Sequence, residues 1–225
     1  MNEASSISNT WWDLPPLIEF LRESRKKKLK LGNSFNISII LHSATIIEGF
    51  ICQFLNDNLV MIDESPTLKG RLENEFSQRI ENSSWNELQN LYKLMFGKDL
   101  SNEVNNEIWK GVAFLFNLRN MLVHSNQLKV TYYEENKKTK IFGKYEKIYK
   151  FLAIEKKIID EVSIVSTYPR IKLITDKSAD YFWENTTIFL KAILVNQKTE
   201  ASITEVMFKK AFNKINVRHN NGYKQ

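Results

Sequence analysis

The stretch whose reading decides the fold runs from Asn105 to Asn126, NNEIWKGVAFLFNLRNMLVHSN. At helical period, Val112, Leu115, Leu118, Leu122 and Ser125 form one stripe, widened by Phe114 and Met121. The spacing predicts a core helix. Phe116, Asn117, Arg119, Asn120 and His124 fall off the stripe, so an arginine, an amide and an imidazole gather near the end of an apolar helix. Asn120 and His124 are four positions apart and share a face one turn apart. Arg119 and His124 are five apart, about 140° around an ideal helix. Arginine is long enough to close part of that gap.

Composition bounds what this helix belongs to. The chain has 225 residues, 43% of them hydrophobic and 12% aromatic, enough for a sizeable core in a single helical domain spanning 1–225. Only 7 Gly and 4 Pro punctuate it, which favours long helices over a sandwich or barrel. A mainly all-α helical bundle is expected. Net charge is +6, from 32 Lys+Arg against 26 Asp+Glu, compatible with a polyanionic partner without requiring one. The single cysteine, Cys52, excludes an internal disulfide and a cysteine-based zinc site, and reads as a small core residue. His42, His124 and His219 are far apart in sequence, and no Gly-rich phosphate loop, Walker lysine or G-x-S-x-G elbow occurs. No metal or cofactor is expected. No signal-peptide pattern opens the chain. The longest apolar run, Ile37 to Leu55, carries His42, Glu48 and Gln53 and reads as a buried helix, not a membrane span. A cytoplasmic protein is the expectation.

Toward the N-terminus, Trp11-Trp12 should dock on the body of the domain, and Pro15-Pro16 suits a helix start. The basic run Arg22 to Lys30 reads either as a solvated helix end or as phosphate contacts. Asn33-Ser34 caps a helix to about Asp57, with Ile40, Ala44, Ile47, Ile51, Phe54 and Leu55 inward and Glu48 off the main stripe. An amphipathic helix follows over Leu68 to Ile80. Ser84 and Glu87 have capping-box spacing before a stripe of Trp85, Leu88, Leu91, Tyr92 and Met95 that ends at Gly97. Ser101 or Asn102 would cap the central helix.

Toward the C-terminus the pattern changes. Val130 to Phe142 reads as a β-hairpin or ribbon-like loop. Lys137, Lys138, Lys140, Lys144, Lys147 and Lys150 are interleaved with Tyr133, Phe142, Tyr145 and Tyr149, which suits a nucleic-acid surface, with rings for bases and ammonium groups for phosphates. Lysines guarding an exposed strand edge give the same pattern. Short helices are expected over Ala153 to Val162 and Ile203 to Ile215. Asp176 caps a longer one that runs to about Asn196, with Ala179, Phe182, Trp183, Thr186, Phe189, Leu190, Ile193 and Leu194 inward.

Arg119-Asn120 followed by His124, at the end of a core helix and before the polar Ser125-Asn126, resembles the signature of the HEPN superfamily. The helix Ser38 to Leu55 looks like the second helix of such domains, and the resemblance covers about residues 33–127. It implies a helical bundle with a core over about 14–127 and a hairpin and helical extension over 128–217. It also implies a metal-independent endoribonuclease, acting as a toxin or antiviral defence effector, with Arg119, Asn120 and His124 catalytic. Glu48 reads either as a surface or salt-bridged carboxylate or as a partner that orients Arg119. The partners implied are RNA, a second copy of the chain, and an antitoxin or regulatory protein, with no membrane. Some members are inactive, so the alternative is a non-catalytic dimerisation or RNA- or protein-binding module.

The chemistry fits the residue types. Metal-free RNA cleavage needs a proton taken from the ribose 2′-hydroxyl, a proton given to the leaving 5′-oxygen, and charge stabilisation at phosphorus. A histidine does proton work near neutrality, and a helix C-terminus favours its protonated form. Arginine offers a permanent charge and a planar fork for phosphate oxygens. One histidine cannot be an independent acid and base, whereas a symmetric dimer with two Arg–His sets around one groove can. The expected products are a 2′,3′-cyclic phosphate and a free 5′-hydroxyl.

Overall fold

A computed structural model describes residues 10–27, 32–59, 75–124, 130–133, 138–141, 144–159, 173–195 and 204–212. They are mostly helical. A 3-10 turn, Thr10–Asp13, leads into α1 (Leu14–Lys26) and α2 (Gly32–Leu59). Helix α3 covers 75–81 and α4 Trp85–Phe96, followed by a 3-10 turn at Leu100–Glu103 and the central helix α5 (Asn106–Val123). Strands β1 (Val130–Tyr133) and β2 (Lys138–Ile141) pair antiparallel, with Val130 opposite Ile141 and Tyr133 opposite Lys138. Helix α6 (Lys144–Tyr149) continues into a π-helical turn (Lys150–Glu155), then α7 (Asp176–Val195) and α8 (204–212). The chain packs as two compact units, each discontinuous in sequence. One draws on Met1–Glu19, Thr45–Asn105 and Leu190–Gln225, the other on Phe20–Ala44 and Asn106–Phe189.

The first unit is built on aromatic packing. Trp11, 1% exposed, sets its ring edge-on to Phe50 at 5.4 Å, so the tryptophan pair does dock. Phe50 meets Phe208 of α8 at 6.3 Å, and Phe54 stacks on Tyr92 of α4 at 6.1 Å. Polar ties fix the helix ends. Asp57 Oδ2 accepts from the Thr204 backbone N–H at 2.8 Å and its hydroxyl at 2.7 Å, capping α8. The Glu87 carboxylate accepts from the Ser84 backbone N–H and hydroxyl, both at 2.7 Å, and these bonds hold it below the usual carboxylate range. Gly97 closes α4 in the left-handed conformation, φ 67°, as its position after the last apolar residue predicts. The buried Glu103 carboxylate is satisfied by Tyr92 Oη at 2.5 Å and Lys98 Nζ at 2.7 Å. That 3-10 turn stands where Ser101 or Asn102 was expected to cap α5, because Leu100 and Glu103 are drawn into the interior and the helix starts later.

Helix α2 is buried over more of its circumference than the predicted stripe. Ile39, Ser43, Ile46 and Phe50 join Ile40, Ala44, Ile47, Ile51, Phe54 and Leu55 in the interior. By length and composition it could cross a bilayer, yet 67% of its most apolar stretch is buried inside the fold. Cys52 is a buried free thiol. Burial, then the nearby charges of Glu48 and Glu81, push it up to about 12.

In the second unit, α5 and α7 pack antiparallel. Trp109 lies against Phe189 at 6.4 Å, and the Asn185 amide donates to the Ile108 carbonyl at 3.0 Å. Gly111 makes this approach possible, since a Cβ there would lie 2.5 Å from Asn185 Nδ2. Helix α6 and the π turn run antiparallel to α5 on another side. Phe151 stacks on Phe114 at 4.3 Å, and Lys110 reaches Glu155 at 3.6 Å. The helix expected over Ala153 to Val162 thus begins earlier, at Lys144, since Tyr145, Ile148, Phe151 and Leu152 supply the buried face.

Two measurements test this packing. Gly111→Ala should destabilise the chain by about 2–4 kcal/mol in urea denaturation, because Asn185 must withdraw and lose its bond. The cost should fall when Asn185→Ala is added, a non-additive pair. The Cys52 thiol should resist a disulfide reagent in the folded chain at pH 8 and react on unfolding. Its proton is retained in the fold above the unfolded value near 9. This contribution to stability is therefore full below pH 9 and is lost as pH rises from there toward 12.

Candidate functional site

Helix α5 buries Gly111, Val112, Leu115, Phe116, Leu118 and Met121. Phe116, expected off the stripe, is inside; Leu122 is only half-buried, and Ser125 lies outside the described residues. With Phe116 inside, the buried face turns toward that side of the helix and Leu122 moves to its margin. The polar tip stays out. Arg119 and Asn120 are half-buried and His124 is exposed. The His124 backbone N–H donates to the Asn120 carbonyl at 3.0 Å, so helical bonding carries one residue past Val123.

Arg119 Nη1 donates to Asn120 Oδ1 at 2.9 Å. The two neighbours are thus joined side chain to side chain, and the Asn120 carbonyl oxygen is committed to the guanidinium. The amide nitrogen is the end that remains to donate outward. The His124 imidazole makes no hydrogen bond to a described residue. The structure therefore brings Arg119 and Asn120 together and presents His124 beside them on the last turn.

Glu48 is half-buried on α2 and belongs to the first unit, four residues before Cys52. Lys137 lies outside the described residues. Lys138 and Lys140 are on β2, opposite Tyr133 and Thr131. Lys144 is exposed at the first position of α6. Tyr145, read as a ring available to bases, is instead buried at 4% exposure, because it faces the core of the second unit. Phe142 lies outside the described residues.

Neither reading of the basic run holds for its arginines. Asp180 Oδ1 takes Arg22 Nε at 2.7 Å, and Asp180 Oδ2 takes Arg25 Nη2 at 2.6 Å. Arg25 Nη1 donates to Asn36 Oδ1 at 2.9 Å, and the Asn36 amide donates to Asp176 Oδ1 at 2.9 Å. The Arg25 side chain is 7% exposed. These residues bind α1, α2 and α7 together, and the two arginines are spent on carboxylate and amide partners instead of standing open to phosphate. Asp176, expected to cap α7, serves this network, while Thr175 and Ser178 cap the helix reciprocally at 2.9 and 3.1 Å. The sequence separations, 140 residues or more to α7, leave no local pattern from which this network could be read.

Further along α5, Glu107 pairs with Lys156, which holds its carboxyl below the usual range. Tyr181 stands edge-on to Phe151 at 5.8 Å and is pushed up to about 12 by burial and then by the Glu107 and Glu155 charges. Among the described residues no group of three or more His, Cys, Asp and Glu could hold a metal ion. Comparison with protein-family models, curated proteins and solved structures gives no match.

The network sets a stability test. Asp180→Ala should cost about 3 kcal/mol in chemical denaturation, since it strands a buried guanidinium. Replacing the exposed pair member Glu23, which meets Lys26 at the surface, should cost under about 1 kcal/mol.

Proposed function

We propose that this chain is a metal-independent endoribonuclease of the HEPN type, a helical bundle with a β-hairpin after the motif helix, acting in the cytoplasm. Arg119, Asn120 and His124 form its half-site, and a second copy supplies the other half. The observation that carries this reading is the exposure of His124 on the last turn of an otherwise buried helix, next to a bonded Arg119–Asn120 pair. A histidine kept only for packing has no reason to stand in water there. One imidazole takes the 2′-proton and its mate across the twofold protonates the leaving 5′-oxygen. The guanidinium steadies the charge on the phosphoryl oxygens, and Asn120 holds it in place. A role as a toxin or defence effector follows from RNA cleavage as an outcome harmful to its own cell.

Purified chain incubated with mixed cellular RNA should yield fragments ending in a 2′,3′-cyclic phosphate, unaffected by EDTA. Arg119→Ala or His124→Ala should each lower the rate by about 10²–10⁴-fold. Equal cutting by His124→Ala, or intact RNA with a dimeric wild-type chain, would replace this reading with a non-catalytic module.

A further inference from the structure

The cations of the second unit fall into two groups. Arg22 and Arg25 are bound to Asp180, Lys26 to Glu23, Lys110 to Glu107 and Glu155, Lys150 to Glu146, and Lys156 to Glu107. Lys27, Lys144, Lys147, Lys157 and Lys177 are exposed and make no ion pair with a described residue, and of these Lys144 and Lys147 stand together on α6. Lys144 and Lys147 stand three positions apart on α6, at the margin of the face that buries Tyr145 and Ile148.

Their height along α5 follows from the packing. Phe151 meets Phe114, Glu155 meets Lys110, and the two helices run antiparallel. Stepping back from Phe151 along α6 matches stepping forward from Phe114 along α5, at about 1.5 Å per residue. Lys147 then comes level with Leu118 and Lys144 level with Met121, flanking the turn that carries Arg119 and Asn120. Lys157 is also exposed and without an ion pair to a described residue, but the same register puts it at the opposite end of α5. Two exposed ammonium groups thus come level with the motif turn, and Tyr145, which lies between them in sequence, is buried and gives a base no ring to stack on.

We infer that the exposed edge of α6, carried by Lys144 and Lys147, is a phosphate track that leads single-stranded RNA to His124. This rests on the ribonuclease reading. Ammonium groups without a stacking ring read the backbone and not the bases, so binding along this edge is independent of sequence and steeply dependent on salt. A single strand is the substrate because in-line attack by a 2′-oxygen requires the backbone to leave A-form geometry.

The probe is a 2′-O-methyl 20-mer RNA of mixed sequence, which cannot be cut, titrated onto the wild-type chain by fluorescence anisotropy at several salt concentrations. Lys144→Gln with Lys147→Gln should weaken binding roughly tenfold and lower the slope of log K against log salt by about 1.4, for two lost contacts. The control is Lys93→Gln with Lys209→Gln, which removes the same charge from the first unit and should change affinity less than twofold. Equal losses in both double variants would overturn the track in favour of bulk charge. Unchanged binding in the α6 variant would overturn it too, while continued RNA cutting by the wild type would leave the ribonuclease reading standing. A wild-type chain that neither binds this RNA nor cuts mixed RNA would sink both.

Discussion

A guanidinium held almost out of water is the constraint on which the second unit depends. Arg25 cannot shed its charge, so its burial obliges the fold to surround it with fixed acceptors. Asp180 and Asn36 meet that need directly, and Asn36 passes the demand on to Asp176. Three helix ends from distant parts of the chain are thereby fixed. With α7 fixed, its Asn185 lies against Gly111, and that contact sets how α5 lies. The position of the Arg119–Asn120 pair is thus a distant consequence of desolvating one arginine.

The same electrostatic logic separates structural charge from available charge. A surplus of lysine and arginine says little until each cation is matched with its partner. On α1 the arginines are consumed by carboxylates across the unit, while the lysines that pair along α5 and the π turn clamp those two elements together. Among the described residues, two of the exposed lysines without an ion pair stand on α6, level with the motif turn. Buried aromatics complete the division. Tyr145 and Phe151 hold α6 and the π turn to the core and so are withdrawn from any ligand.

Periodicity was a good guide wherever burial is decided within one helix. Trp85, Leu88, Leu91 and Tyr92 turn inward on α4, and Ala179, Phe182, Trp183, Phe189, Leu190 and Ile193 do so on α7. It was a poor guide to boundaries and to faces shared with more than one neighbour. Phe116 is buried off the predicted stripe, and α2 is buried over more of its circumference than one apolar stripe allows. The π turn was not legible at all, since nothing in the local spacing of Lys150–Glu155 marks a wider winding.

By itself, the sequence determined the helical character of this protein, the sites of its main helices and the polar tip of α5. Those follow from spacing along one strand of chain, where apolar residues at three and four positions must share a face. Only the tertiary structure decided which charges are spent, that Tyr145 is interior, and that Asn120 turns its carbonyl to Arg119. Such outcomes depend on partners a hundred or more residues away, or on competition between near neighbours for one acceptor, and desolvation settles them only after the helices have met.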